Sequence, residues 1–80
     1  MDEKILNGLS EIVSELTQTG QSINMDTDFV NDCNLSSFQM AMFFCEVEER
    51  FDLTIEDFIK YRKAAAIVKM ITEKGENQNE

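Results

Sequence analysis

Apolar residues recur along this chain at three- and four-residue spacing, and nowhere do they alternate with polar ones over a strand's length. That period lines side chains along one face of a helix but scatters them over both faces of a strand, so it constrains the fold more than any other feature. Ile5, Leu9, Ile12, Val13 and Leu16 form a first stripe. Met40, Phe44, Val47 and Phe51, flanked by Ala41 and Phe43, form a second, and Ala64, Ile67, Val68 and Ile71 form a last one. The expectation is an all-α fold, a small four-helix bundle of three longer helices and a short third one, with the second helix as the central packing element.

Helix ends can be read from capping chemistry. Asp2 is the expected N-cap of the first helix, and Gly20 is placed to end it in a left-handed conformation. Ser36 with Gln39 three residues on makes a capping box, and Leu35 with Met40 can staple it. The same signature returns at Thr54 and Asp57, with Leu53 and Phe58 as staple, and predicts a short helix ending near Tyr61. The last helix is poorly marked at its start, because Lys63 is a weak cap, and Gly75 falls just past its expected end. Residues 1–74 read as one domain and residues 75–80 as a frayed polar tail. Tyr61, Arg62 and Lys63 form a junction whose cations can pair with acidic residues elsewhere and ease self-repulsion.

Between the first two helices, residues 20–35 have no helical period and several turn formers. Ile23, Phe29 and Leu35 are expected to fasten this long loop to the core. A loop of that length in a small domain is either functional or packed by its own side chains.

The chain has 80 residues and no histidine, proline or tryptophan. One core of this size leaves little room for a cleft with catalytic machinery. Without histidine the commonest general base and metal ligand are absent, so a hydrolase triad in its usual form is excluded and no enzyme is expected. Cys33 and Cys45 make neither a CxxC motif nor a zinc pattern. They read as reduced thiols of a cytoplasmic protein, one in the loop and one on a helix, although a disulfide between them is conceivable. No segment reads as a membrane span or a signal peptide.

The net charge of −9 is uneven. Residues 1–59 carry 13 acidic and 2 basic side chains, and residues 60–80 carry 3 acidic and 5 basic ones. Such a surface repels nucleic acid and attracts basic protein partners to the N-terminal three quarters. Acidity that only keeps a small domain soluble is the plainer alternative.

Ser37 falls in the first turn of the second helix if Ser36 is its cap. Unpaired amides and the positive dipole end favour a phosphate there, bound or attached. A Ser-Ser pair serving only as a cap is the competing reading. Asp26, Asp28 and Asp32 invite a calcium loop, but neither register works. From Asp26, Val30 and Asn31 fall at positions five and six; from Asp32, Ser37 stands where glycine is needed and Phe43 where the bidentate glutamate is needed.

Residues 29–38 run Phe29, Val30, Asn31, Asp32, Cys33, Asn34, Leu35, Ser36, Ser37, Phe38, and residues 47–55 run Val47, Glu48, Glu49, Arg50, Phe51, Asp52, Leu53, Thr54, Ile55. Together with the helix order, these runs resemble the acyl carrier protein family. The first matches the family's phenylalanine, x, acidic, acidic, leucine, glycine, x, aspartate, serine, leucine pattern. The second matches its leucine-glutamate-glutamate-x-phenylalanine-x-x-x-isoleucine run without a gap. The resemblance implies a covalent 4′-phosphopantetheine on Ser37, installed by a phosphopantetheinyl transferase and carrying acyl groups as thioesters. It implies as partners acyl-transferring, condensing or adenylating enzymes of fatty-acid-like, polyketide or nonribosomal-peptide biosynthesis.

Three of the chain's departures from the pattern matter for the site. Ser36 replaces the aspartate that helps engage the transferase, Phe38 replaces leucine, and Asn34 replaces the loop glycine. Asparagine is the next-best residue for a left-handed backbone. The resemblance also implies docking along the second helix, through Phe38, Gln39, Met42, Glu46, Glu48 and Glu49. Phe38, Met42, Cys45 and Glu49 share the face away from Phe44 and Phe51. With Gln39 and Met42 where the family carries acids, this face is expected to be more apolar than that of a housekeeping carrier. Phe43, Phe44, Phe51 and Phe58 are large for an interior, which implies a small acyl cavity or cargo held outside. A monomer suffices for such a role. A carrier-like fold that is never modified and acts as an interaction adapter is the alternative.

Overall fold

Among the described residues, three helices and one 3-10 turn follow in the order α1 (Asp2–Thr17), α2 (Ser37–Phe51), the 3-10 turn (Lys60–Arg62) and α3 (Ala64–Gln78). The structure is a computed structural model that describes residues 2–78, with side chains described through residue 74. Among the described residues, extended pairing is limited to one antiparallel bridge between Asp28 and Lys63. The expected all-α class and order of elements are those observed.

The stripes face inward as their spacing requires. Ile5, Leu9, Ile12 and Val13 from α1, Met40, Phe43, Phe44 and Val47 from α2, and Ala64, Ile67 and Val68 from α3 are buried together. Ile23, Phe29 and Leu35 are buried with them, so the long loop is part of the core. Phe29 and Phe43 lie with ring centroids 4.4 Å apart, and Phe43 and Phe44 with centroids 5.6 Å apart. Three fully buried aromatic rings thus join loop to helix. α1, and not α2 as expected, is the helix that packs against both of the others. Gly8 on α1 permits one of these approaches: a Cβ there would lie 3.0 Å from the Phe51 ζ carbon.

The loop also caps α3. The amides of Ala64 and Ala65 donate to the carbonyls of Thr27 (2.9 Å) and Met25 (3.2 Å), and the Phe29 amide donates to the Arg62 carbonyl (2.9 Å). Two of the donors that a helix start leaves unpaired are therefore met by backbone more than thirty residues upstream. This is how α3 begins behind Lys63.

Several helix ends differ from expectation. Asp2 lies inside the first turn of α1, where its carboxylate complements the positive dipole end. The left-handed residue closing α1 is Gln18 (φ 59°), not Gly20, and its amide donates to the Ser14 carbonyl at 2.7 Å. α2 ends on left-handed Asp52 (φ 53°). The helix expected over residues 54–61 is only the 3-10 turn, and the Thr54–Asp57 box does not form. Asp57 Oδ1 instead accepts the amides of Ile59 (3.1 Å) and Lys60 (3.0 Å), and the Ile55 amide donates to Glu48 Oε2 (2.8 Å). The α3 backbone passes Gly75 and continues to Gln78; residues 79 and 80 of the expected tail lie outside the described residues.

Candidate functional site: a serine at the mouth of α2

The start of α2 is built as its sequence implies. Asn34 adopts the left-handed conformation (φ 57°), which turns the chain sharply into Leu35 and Ser36. The Ser36 hydroxyl accepts the Gln39 amide at 3.1 Å, and Gln39 Oε1 accepts the Ser36 amide at 3.0 Å. Both halves of the capping box are present, and the staple residues Leu35 and Met40 are both buried. Ser37 is then the first residue of α2 and is exposed.

Ser37 borders a cavity of about 270 Å³ whose other walls are Val30, Leu35, Met40, Phe44, Phe58, Ile59 and Arg62. Phe58 stacks on Phe44 with centroids 4.7 Å apart. The wall is apolar apart from the serine and one guanidinium.

That guanidinium is held. Arg62 Nε donates to Asp28 Oδ2 at 3.0 Å, and Nη2 forms an ion pair with the same oxygen, also at 3.0 Å. Asp28 is fixed in turn: its Oδ1 accepts the amides of Val30 (2.9 Å) and Asn31 (3.0 Å), and Asp32 Oδ2 accepts the Asp28 amide at 2.8 Å. The Asn31 amide, then Arg62 and the Val30 amide, hold the Asp28 carboxyl below its ordinary value of 3.8, against the opposing effect of burial. Asp28 and Asp32 therefore direct their carboxylates at the loop's own amides. The expected pairing of the junction cations with acidic residues is realised by Arg62.

The proposed docking residues divide into two sets. Phe38 (74% exposed), Met42 (41%), Glu46 and Glu49 face outward on α2 and are exposed, as is Cys45 on the same face. Gln39 and Glu48 are half-buried and engaged within the fold, Gln39 in the capping box and Glu48 on the Ile55 amide. Cys33 and Cys45 are both free thiols, the first buried and the second exposed. Burial, followed by the charges of Asp32 and Asp28, pushes the Cys33 thiol up from its ordinary value.

Val30 and Ile59 are the site residues that sequence reasoning passed over. Ile59 is 82% exposed beside the cavity. The signal available was an adjacent Phe58-Ile59 pair in an otherwise charged stretch, too short to form a stripe of its own.

A small helical bundle that presents an exposed hydroxyl at a helix mouth, beside an apolar cavity, is suited to carrying a group. Comparison with known proteins agrees. No family model matches the chain. It is 36% identical over 59 residues to the acyl carrier protein of Beutenbergia cavernae, covering 70% of each chain. It is likewise 36% identical over 58 residues to the acyl carrier protein of Kocuria rhizophila, covering 69% of each. With that of Renibacterium salmoninarum it shares 35% over 57 residues, covering 70% of each. The chain belongs to the acyl carrier protein family.

Proposed function

We propose that this protein carries acyl groups on a 4′-phosphopantetheine attached through Ser37 Oγ, and delivers them to partner enzymes without itself catalysing a reaction. The observation that carries this reading is the exposed Ser37 at the first turn of α2, on the rim of an apolar cavity, in a chain of this family. The residues fit the group. The hydroxyl is accessible to a transferase, the helix start favours a phosphodiester, and the cavity walls suit an apolar chain. When attached, the group supplies a thiol on which acyl chains are held as thioesters.

The residues of the chain do the rest. The buried Phe44 and Met40 form part of the cavity wall, and a cavity of this size suits a short acyl segment and leaves longer cargo partly outside. The 13 acidic side chains against 2 basic ones in residues 1–59 steer the carrier to basic docking surfaces. Those partners are a phosphopantetheinyl transferase and acyl-transferring, condensing or adenylating enzymes. Phe38 and Met42, both exposed, set an apolar contact between the serine and the first free carboxylates at Glu46 and Glu49. Met42→Glu is expected to change affinity for a cognate partner by several-fold. Unchanged affinity for every partner tested would remove this face from recognition.

The decisive experiment is intact mass after incubation with a broad-specificity phosphopantetheinyl transferase, coenzyme A and Mg²⁺. The wild type should gain one phosphopantetheine group and Ser37→Ala none. One observation favours the second reading, an unmodified adapter: the Ser36 hydroxyl is engaged on the Gln39 amide, and no carboxylate stands in the first turn of α2. No addition to the wild type, with transferases of the native host included, would decide for the adapter.

A further inference from the structure

We propose that Arg62 is the cationic partner of the phosphodiester on Ser37, with Asp28 holding the guanidinium in place for it. The proposal rests on the carrier reading of Ser37 and adds a positioning residue to it. Arg62 is the charged side chain on the wall of the cavity that Ser37 borders, and the other walls are apolar. It comes from the 3-10 turn and is not adjacent to the serine in sequence.

The geometry leaves the guanidinium fixed but not saturated. A guanidinium has five N–H donors in a rigid fork. Arg62 donates one hydrogen bond, from Nε to Asp28 Oδ2, and holds Nη2 within ion-pair distance of the same oxygen, which leaves the Nη1 and Nη2 hydrogens without a hydrogen-bond partner among the described residues. Asp28 is anchored by the Val30 and Asn31 amides, so the ion pair is tied to the loop and not merely to another mobile side chain. The Arg62 side chain remains 39% exposed.

Electrostatics supply the reason such a cation is needed. A phosphodiester adds an anion to a region, residues 1–59, whose balance is already 13 acidic to 2 basic. The start of α2 compensates only in part: the Gln39 amide is taken by the Ser36 hydroxyl and the Met40 amide by the Ser36 carbonyl at 2.8 Å. Neighbouring Lys60 lies over the Tyr61 ring, 5.4 Å from its centroid. Arginine also suits the task better than lysine, because its fork matches two phosphate oxygens.

The chain contains two arginines, so the test has an internal control. Arg50 pairs with Glu11 and borders a different cavity. In ¹⁵N-labelled protein, the Nε–H resonance of Arg62 should move when Ser37 is loaded, and the resonance of Arg50 should not. The ³¹P resonance of the loaded protein should shift in Arg62→Gln, stay near the wild-type position in Arg62→Lys, and be unaffected in Arg50→Gln. High salt should return the Arg62 signal toward its unloaded position. A purely structural Asp28–Arg62 clamp gives a different result: full loading by mass, with the Arg62 and ³¹P signals unmoved, which overturns the inference and leaves the carrier reading standing. Failure of the wild type to load overturns both. The central readout is on the wild-type protein, so a variant that folds poorly does not decide the matter.

Discussion

The segments around Ser36 and Thr54 carry the same local signature and fold differently. Each has a hydroxyl residue succeeded three positions later by a side chain able to answer its amide, with an apolar residue before the cap and another four positions after it. At Ser36 the box closes on both sides and a fifteen-residue helix begins. At Thr54 it does not close: Asp57 turns forward onto Ile59 and Lys60, and Glu48 takes the Ile55 amide. The difference lies in the residues downstream of each cap. After Ser36 come Met40, Phe43, Phe44 and Val47, all buried, whereas after Thr54 come Phe58 and Ile59, both mostly exposed. A helix of about eight residues is marginal without packing, so a cap signature starts a helix only when a buried stripe continues it.

Truncating one aromatic residue from each region gives the largest separation. Phe29→Ala removes a fully buried ring beside Phe43 and should cost about 3–5 kcal/mol in denaturant unfolding, enough to leave a domain this small largely unfolded. Phe58→Ala removes a half-exposed ring stacked on Phe44 and should cost about 1 kcal/mol. Equal losses would mean that residues 53–62 are as much core as the loop.

The caps themselves offer a finer test. Ser36→Ala removes the hydroxyl that accepts the Gln39 amide in a formed box and should lower stability by about 1 kcal/mol. Thr54→Ala should stay within about 0.5 kcal/mol, since its hydroxyl caps no helix. A larger loss at Thr54 than at Ser36 would reverse the comparison.

The smallest effect joins the two regions, because Asp28 ties the loop to the 3-10 turn. Its folded-state pKa is depressed, so the stability it contributes is fully present above its ordinary value of 3.8 and is lost as pH falls through the lower folded value. The acid limb of the unfolding curve below pH 3.8 should therefore be shallower in Asp28→Asn than in the wild type. An unchanged limb would show that the Asn31 and Val30 amides and Arg62 together do not favour the charged Asp28 in the folded state.

The candidate site was legible where its causes are local. The left-handed turn at Asn34, the box at Ser36, the exposed serine and the apolar face at Phe38 and Met42 depend on neighbouring residues alone. The features that escaped the sequence depend on partners far along the chain. Arg62 was legible as a cation in search of a carboxylate, but not as a wall of the Ser37 cavity, because Asp28 meets it across 34 residues. Glu48 was expected to face partners and turned inward because an amide at Ile55 lay within reach. Gly20 was expected to close α1, but Gln18 takes the left-handed position two residues earlier.

The period of the apolar residues was enough to determine an all-α chain, the faces its helices bury and the serine at the start of α2, since these depend on spacing and on caps a few residues apart. The tertiary structure decided where residues 54–61 stop being helical, how α3 starts behind a poor cap, and which side chains surround Ser37. Each of those turns on hydrogen bonds or contacts between distant segments: the Thr27 and Met25 carbonyls at the α3 amides, Asp28 at Arg62, and Phe58 on Phe44. Short helices and buried polar groups have marginal preferences of their own, so the partner that packing brings within reach selects among them.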